Sequence, residues 1–260
     1  MKNVLITGAE GTIGTALRED YGDRYEFSGI TLTPQEFPST VANIADLDAI
    51  QPAFEGMDAV VHMAASVQVT APWEDIHKNN IIGTYNVYEA ARRAGVECVV
   101  FASSNHAVGG YEVAGAPGIY ALDDPRQIDT TVQIRPDSYY GVSKAFGEAL
   151  GRYYVDAFGM RVFCLRIGWV RADDDPHPAE QTGSDWLDLR TPEDFYGRLR
   201  TIWLSKRDCT QLIAKCLDAD HINYGIYYGM SDNPRKFWSL DNARADLGYE
   251  PQDSAPVDLD

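Results

Sequence analysis

Two side chains that could carry out proton chemistry stand four residues apart in the run YGVSK, residues 140–144. Residues four apart on a helix project from the same face, so the Tyr140 phenol and the Lys144 ammonium would be neighbours. A nearby positive charge favours the phenolate and lowers a tyrosine pKa that is about 10 in water. Such a phenolate can take a proton from an alcohol. The spacing therefore predicts that Tyr140 is a base whose pKa is lowered by Lys144.

A second polar group follows the apolar run at residues 96–102. It consists of Ser103, Ser104, Asn105 and His106. Hydroxyl, amide and imidazole groups gathered at the end of a buried strand are typical of a ligand site, although a polar turn can have the same composition. We expect these residues to lie beside the Tyr140 base.

A third chemical pattern opens the chain. Gly8, Gly11 and Gly14 follow an apolar strand at residues 4–6 and precede a helix predicted over 13–20. A strand that turns through glycines into a helix directs free backbone N–H groups and the positive helix end at one point. Glycine also lets the backbone approach a ligand closely. This context predicts a site for the pyrophosphate of a dinucleotide.

The rest of the chain alternates apolar strands with helices, which predicts a Rossmann-type, doubly wound parallel α/β sheet. The other predicted strands cover residues 25–32, 59–65, 96–102 and 224–228, with one ending at 43–44 and one at 166. The other predicted helices cover residues 46–56, 79–94, 138–158 and 241–247. A long polar connection at 109–136 is predicted to be a functional cover. We expect one domain, 1–260, with a small C-terminal substrate lobe built mainly from about 169–210 and 229–260.

Composition limits the classes of partner. The chain has 260 residues, 39 acidic against 22 basic, and a net charge of −17. This balance argues against nucleic acid and against an anionic membrane surface. A strongly acidic surface is also typical of proteins from salt-loving organisms, because high salt screens the self-repulsion.

No apolar run is long enough to cross a membrane, and no signal peptide precedes the first strand. The four cysteines form no CxxC pair and no cluster with histidines at metal-ligand spacing, so no metal site is predicted. Reduced thiols in a cytoplasmic protein are the expected state. His62 lies inside an apolar run, so we expect a hydrogen-bonded core histidine there.

The cofactor preference depends on the end of the second strand. A carboxylate there accepts the ribose hydroxyls of NAD, but this chain has Thr31. No Arg or Lys occurs from residue 27 to residue 77 to bind the 2′-phosphate of NADP. The missing positive charge favours NAD and leaves NADP possible.

Four basic residues lie within ten positions, at Arg198, Arg200, Lys206 and Arg207. We call them the basic cluster. In so acidic a chain they suggest a site for a carboxylate or phosphate, for which the planar guanidinium is well suited. A solvated helix face paired with neighbouring acids is the equally weighted alternative.

The three patterns together resemble the extended short-chain dehydrogenase/reductase superfamily, over nearly the whole chain. The matching motifs are TGAEGTIG at 7–14, SSNH at 103–106 and YGVSK at 140–144. FASSNHAVGGYE at 101–112 and RPDSYYGVSKAFGE at 135–148 are similar to its sugar-oxidising branch, which includes uronate dehydrogenases. WLSKRDC at 203–209 and residues 228–253 are similar to the NAD-dependent glucose-6-phosphate dehydrogenases of halophilic archaea.

The resemblance implies an NAD cofactor, a homodimer, and oxidation of a cyclic sugar at C1 to its lactone. It implies that Tyr140 is the base, that Lys144 lowers the pKa of Tyr140, and that Ser104 forms a hydrogen bond with the reacting oxygen. The implied cofactor contacts are Gly8, Glu10, Gly11, Thr12, Ile13, Gly14, Thr31, Asn43, Ile44, Ala64, Ala65, Ser66, Asn80, Ser103, Tyr140, Lys144 and Ile167. The implied substrate contacts are Gln68, Ser104, Asn105, His106, Tyr140, Trp169 and Arg198.

Several positions depart from these relatives and leave the sugar open. Thr31 and Asn43 stand where aspartates are expected, Gln68 where an Arg or Ser is expected, and Trp169 where a smaller polar residue is expected. The insertion 173–194 is longer than in the relatives. An anionic hexose, either glucose 6-phosphate or a hexuronate, is the favoured substrate. The alternatives are a neutral aldose, or a nucleotide-sugar epimerase or dehydratase reaction.

Overall fold

The buried aliphatic runs of the sequence form one parallel sheet in the computed structural model, which describes residues 1–177 and 191–257. The strands are β1 (Lys2–Thr7), β2 (Tyr25–Thr31), β3 (Ser39–Val41), β4 (Ala59–His62), β5 (Cys98–Ser104), β6 (Arg161–Ile167) and β7 (Tyr224–Gly229). Within the described ranges their order is β3-β2-β1-β4-β5-β6-β7, and every neighbouring pair is parallel. The predicted doubly wound α/β sheet is confirmed.

Helices cover both faces of the sheet, as strands that are buried on both sides require. The α-helices are α1 (Thr12–Tyr21), α2 (Leu47–Ile50), α3 (Trp73–Asp75), α4 (Gly83–Ala94), α5 (Gly110–Gly115), α6 (Tyr139–Phe158), α7 (Pro192–Ile202), α8 (Lys206–Asp218) and α9 (Asp241–Leu247). On β1, Val4 and Ile6 pack in the core that includes Leu17 of α1, whereas Leu5 packs in the opposite core with Tyr88 of α4. None of these described helices is long and apolar enough to cross a membrane.

Three predicted segments differ from the structure. The predicted helix 46–56 divides into α2 and a tighter turn at Gln51–Phe54, which contains a proline. The predicted helix 79–94 continues a wide helical segment, Ile76–Ile82, that begins well before residue 79. The connection 109–136 is partly helical and is anchored, because Glu112, Ile119 and Tyr120 are buried in it. It is therefore packed structure, and its role as a functional cover stays a prediction.

The chain after β6 supplies the side wall of the sheet's carboxyl edge. The Trp169 N–H donates to the Ile202 carbonyl over 2.7 Å, and Leu199, Trp203 and Ala255 form a small apolar cluster beside it. Trp238 and Tyr249 are buried, as expected for packing residues. The division into a sheet domain and a lobe stays a prediction. Residues 178–190 of the insertion lie outside the described residues.

A buried ion pair joins α6 to β6. The Glu148 carboxylate accepts hydrogen bonds from Arg166 Nε and Nη2, each over 2.9 Å, and from Ser103 Oγ of β5 over 2.6 Å. Both charged side chains are 1% exposed. Arg166 Nη1 also donates to the Tyr228 hydroxyl of β7 over 3.2 Å. One carboxylate therefore fixes the mutual positions of three neighbouring elements.

Candidate active site

A cavity of about 780 Å³ opens at the carboxyl ends of β1, β5 and β6, where a doubly wound sheet binds its ligands. Its lining brings together most of the residues that the sequence singled out. These are Gly8, Gly11, Thr12, Ile13, Gly14, Gln68, Ser103, Ser104, Asn105, His106, Tyr140, Lys144, Ile167, Trp169 and Arg198. The three separate sequence patterns therefore meet at one site.

The glycine-rich turn forms the floor of one end of this cavity. Gly8 has φ +70°, and a Cβ there would lie 3.0 Å from the Ala64 nitrogen. A Cβ at Gly14 would lie 2.8 Å from the Ala9 Cα, so neither position has room for a side chain. α1 begins after Gly11 without a side-chain cap, which leaves its first backbone N–H groups for a ligand.

Tyr140 and Lys144 lie on the same face of α6, as their spacing predicted. Both side chains are buried, and Lys144 Nζ is 5.3 Å from the centre of the Tyr140 ring. The ammonium donates to the Ala102 carbonyl at the end of β5 over 2.7 Å. Burial lowers the pKa of Lys144 to about 7, because the charged form loses its hydration.

The expected lowering of the tyrosine pKa is wrong for this arrangement. Burial raises the pKa of Tyr140 to about 12, the hydrogen bond with Ser104 lowers it, and Asp137 raises it. The Lys144 ammonium is directed to the Ala102 carbonyl and not to the phenol oxygen. Tyr140 and Ser104 nevertheless share a hydrogen bond at the cavity wall, as a proton-transferring pair requires.

His106 is held by an aspartate that the sequence analysis did not identify. Asp137 Oδ2 lies 2.8 Å from His106 Nδ1, and Asp137 Oδ1 accepts from the Ser138 hydroxyl over 2.8 Å. Ser138 in turn caps α6 by accepting the Gly141 N–H over 3.0 Å. The start of α6 and the imidazole are thus positioned by the same carboxylate.

Arg198 lines the cavity from α7 and is paired with a buried glutamate. Its Nε donates to Glu112 Oε1 over 2.8 Å, and the Tyr120 hydroxyl donates to the same oxygen over 2.9 Å. Asn105 Nδ2 donates to the second oxygen of Glu112 over 3.4 Å. The guanidinium is therefore fixed in place, and its charge is balanced by a carboxylate that is 0% exposed.

The other members of the basic cluster do not join Arg198. Arg200 donates to the Val257 and Tyr120 carbonyls. Lys206 donates to the Ala172 carbonyl, and Arg207 pairs with Asp253. Only Arg198 of the four lines the described part of the cavity. The described residues therefore give no support to a phosphate site built from Arg198 together with Arg200 or Lys206, whereas a carboxylate site at Arg198 alone stays a prediction.

Some predicted cofactor residues are not part of the cavity lining. Asn80 donates to the Ser66 carbonyl and to Ser143 Oγ, each over 3.0 Å, and accepts the Ser66 N–H over 2.7 Å. Ala64 and Ala65 continue this turn. Asn80 is 2% exposed, so it supports the turn at Ser66 from within the core.

His62 confirms the expectation of a core histidine. Its Nδ1 lies 2.7 Å from Thr7 Oγ1 and its Nε2 lies 3.2 Å from Thr84 Oγ1. Burial, with a smaller contribution from the nearby Lys144 charge, lowers the pKa of His62 to about 3.

Four more predicted residues lie towards β2 and β3. Glu10 Oε1 accepts the Leu32 N–H over 2.9 Å. Thr31 is 2% exposed and donates to the Thr33 carbonyl over 2.9 Å. Asn43 is exposed and accepts the Ala45 N–H, whereas Ile44 is buried against Gly83.

Sequence reasoning missed the apolar part of the lining and the two buried carboxylates Glu112 and Asp137. The missed lining residues are Met63, Val67, Val69, Thr70, Ala102, Gly168, Val170 and Ile202. Apolar residues at strand ends resemble core residues in a sequence. An Asp directly before the Ser138 cap was the one available signal for Asp137. Among the described residues, no group of three His, Cys, Asp or Glu could hold a metal ion.

A glycine-rich strand–turn–helix, a serine and a Tyr–Lys pair at one edge of a parallel sheet define a dinucleotide-binding enzyme site. The sequence model of the NAD dependent epimerase/dehydratase family matches residues 4–182, and the chain belongs to this family. NAD is therefore its cofactor.

Several relatives that match over nearly the full length of this chain are sugar dehydrogenases. The chain is 40% identical to an NAD-dependent glucose-6-phosphate dehydrogenase of Haloferax volcanii, over 97% of this chain and 94% of that protein. It is 36% identical to an L-arabinose 1-dehydrogenase (NAD(P)(+)) of the same organism, over 98% of both chains. A crystal structure of a mutant uronate dehydrogenase from Agrobacterium tumefaciens complexed with NAD matches with a TM-score of 0.79 and 31% identity, covering 98% and 86% of the chains.

The described residues fit NAD. The Gly8 and Gly14 cradle has no room for side chains, and the uncapped start of α1 offers N–H groups to a pyrophosphate. Ser103, Tyr140 and Lys144 lie on the wall beyond this cradle, where the reactive end of a dinucleotide would extend.

The Lys144→Met variant tests whether the pKa of Lys144 is lowered in the folded protein. Between the folded pKa of about 7 and the ordinary value of 10.5, the unfolded chain binds a proton that the folded protein lacks. The free energy of unfolding of the wild type should therefore rise with pH relative to Lys144→Met, by up to about 1.4 kcal/mol per pH unit. Denaturant titrations at pH 7.5 and 9.5, at constant salt, measure the difference.

Lys78→Met is the matched control, because Lys78 is exposed. Its stability should change with pH in parallel with the wild type. A parallel curve for Lys144→Met as well would contradict the depressed lysine pKa.

Proposed function

We propose that the protein oxidises an aldose at C1 to its lactone with NAD, using Tyr140 as the base. The observation that carries this proposal is the convergence of Ser104, Tyr140 and Lys144 on one cavity with the glycine-rich cradle. The names of the relatives support a sugar as the substrate.

Each residue has a defined part in the proposed reaction. Ser104 holds the C1 hydroxyl oxygen of the sugar, and the Tyr140 phenolate removes the proton of that hydroxyl. NAD supplies an acceptor for the hydrogen that leaves C1 with its electron pair. Lys144, held by the Ala102 carbonyl, contributes positive charge close to the tyrosine ring when it is protonated. The walls of Trp169, Val170 and Ile202 exclude water from this step.

Among anionic sugars we propose a hexuronate before glucose 6-phosphate. One planar guanidinium can bind a carboxylate through two hydrogen bonds, and Arg198 lines the cavity. A phosphate dianion needs more positive charge, and Arg200, Lys206 and Arg207 have partners elsewhere. Glucose 6-phosphate remains a candidate substrate, because the relative at 40% identity is named a glucose-6-phosphate dehydrogenase.

A neutral aldose is the second candidate, because Glu112 already balances the charge of Arg198. A buried pair of this kind can serve as a set of hydrogen-bond donors without attracting an anion. The L-arabinose relative supports this alternative. The epimerase reaction of other members of the superfamily would instead leave the cofactor unreduced after turnover.

Tyr140→Phe should lower kcat by about 10²- to 10⁴-fold or more, because it removes the proton acceptor while keeping the ring. NADH binding, measured by fluorescence titration, should stay within about twofold of the wild type, because the cradle at Gly8 and Gly14 is unchanged. Tyr139→Phe is the control, since the adjacent Tyr139 is 56% exposed. Near-normal turnover of Tyr140→Phe would refute the assignment.

A panel of sugars assayed with Arg198 variants tests whether Arg198 binds a negatively charged group of the substrate. NAD and NADP reduction is measured in molar salt with glucuronate, galacturonate, glucose 6-phosphate, glucose and arabinose. Arg198→Ala should lower kcat/KM for the hexuronate by about 30- to 5,000-fold, which corresponds to about 2–5 kcal/mol for the loss of a buried charge partner. The fall should be smaller for neutral sugars, because the effect of leaving Glu112 unpaired is common to all substrates. Arg198→Lys, which keeps the charge without the planar fork, should be intermediate.

Arg207→Ala is the control from the same basic cluster, since Arg207 pairs with Asp253 away from the cavity. It should leave every substrate unaffected. If glucose or arabinose is the best substrate and Arg198→Ala lowers kcat/KM no more for anionic sugars than for neutral ones, the neutral-aldose candidate replaces the hexuronate.

We also propose that the protein acts as a homodimer at high salt in the cytoplasm. Tyr85 of α4 and Tyr153 and Phe158 of α6 are 44%, 57% and 45% exposed, whereas Tyr88 and Tyr154 are buried beneath them. Aromatic side chains exposed together are typical of an interface. Sedimentation in molar salt should give twice the mass of the chain, and a monomer would contradict this proposal. The buried, free cysteines support a reducing compartment.

A further inference from the structure

The cofactor preference of the protein is not explained by the residue at the end of β2. Thr31 occupies the position from which a carboxylate ordinarily accepts the ribose hydroxyls of NAD. Its side chain is 2% exposed, and its hydroxyl donates to the Thr33 carbonyl over 2.9 Å. Thr31 is therefore occupied within its own turn and presents no carboxylate to a ligand.

A carboxylate reaches the same place from a different element. Glu10 lies in the glycine-rich turn, between Gly8 and Gly11, and its Oε1 accepts the Leu32 N–H over 2.9 Å. Leu32 directly follows β2, so this bond places the Glu10 carboxylate at the carboxyl end of β2. The Gly8 N–H donates to the Ile30 carbonyl over 2.9 Å and fixes the turn against the same strand.

The chemistry of this carboxylate suits a ribose diol. An ionised carboxylate has two oxygens and several lone pairs, so a single bond to Leu32 leaves further acceptor capacity. Glu10 is exposed, and it precedes the uncapped start of α1 where the pyrophosphate is expected. The adenosine ribose follows that pyrophosphate towards β2. A 2′-hydroxyl can donate to such an oxygen, whereas a 2′-phosphate would be repelled by it.

We propose that Glu10 accepts the hydrogen bond of the adenosine ribose 2′-hydroxyl and thereby selects NAD over NADP. The carboxylate has the position expected for this family of folds but comes from the glycine-rich turn instead of β2. This inference rests on NAD as the cofactor and does not depend on which sugar is oxidised.

Arg18 of α1 is the rival determinant, because a guanidinium on this side could bind a 2′-phosphate. Its guanidinium stacks 3.7 Å from the centre of the Phe37 ring and donates to Thr15 Oγ1. Burial lowers the pKa of Arg18. These contacts hold Arg18 against Phe37, so we expect it to contribute little to the cofactor preference.

Direct binding of NADH and NADPH tests the proposal without any sugar. Fluorescence titrations at one fixed salt concentration compare the wild type with Glu10→Gln, whose amide oxygen can still accept the Leu32 N–H. The wild type should prefer NADH. In Glu10→Gln the ratio of the NADPH to the NADH dissociation constant should fall by about 10- to 100-fold, because a hydrogen bond to a charged group is lost. Glu10→Lys should lower the ratio further.

Glu26→Gln is the matched control, since Glu26 is an exposed carboxylate at the other end of β2. It should keep the wild-type ratio. A ratio for Glu10→Gln within about twofold of the wild type would overturn the proposal, as would equal wild-type affinity for the two cofactors. A wild type that binds NADH but oxidises no sugar would refute the proposed reaction and leave the role of Glu10 intact.

Discussion

The arrangement of the active site depends on the buried Glu148–Arg166 pair. Glu148 belongs to the helix that carries Tyr140 and Lys144, and Arg166 belongs to the strand that ends at Ile167. The third partner, Ser103, is adjacent to Ser104. Removing one member of such a pair leaves an uncompensated buried charge and typically costs about 3–5 kcal/mol. That penalty holds the strands and the helix in one alignment, and the proposed catalytic groups take their positions from it.

The same principle is repeated around the substrate end of the cavity. His106 is paired with Asp137 and Arg198 with Glu112, so each of these two side chains has a carboxylate partner. A sugar entering this space encounters directed hydrogen-bond donors whose charges are largely balanced. Selectivity then follows from the geometry of these donors more than from attraction at a distance.

The sequence predicted the elements whose pattern is local. A short aliphatic run such as Val4–Ile6 that leads into a glycine-rich turn is typical of a strand buried on both faces of a parallel sheet. The spacing of Tyr140 and Lys144 places both side chains on one face of a helix. Sequence reasoning failed where the outcome depends on tertiary contacts. The basic cluster divides because Arg198 on α7 pairs with Glu112, whereas Arg207 on α8 pairs with Asp253. Glu112 could not be recognised, because its partner Arg198 is 86 residues away in the chain.

The two proton-active side chains show why local chemistry alone gave the wrong pKa for Tyr140. Spacing predicts a phenolate stabilised by an ammonium, but burial disfavours both charges and moves both groups towards their neutral forms. The pKa of Tyr140 rises to about 12 and that of Lys144 falls to about 7. A ligand that brings a positive charge into such a cavity would lower the pKa of Tyr140 and favour its phenolate, because little water is present to screen the charge. Under the proposed function, Tyr140 becomes the base only when such a charge is bound, and before binding it is the protonated partner of Ser104.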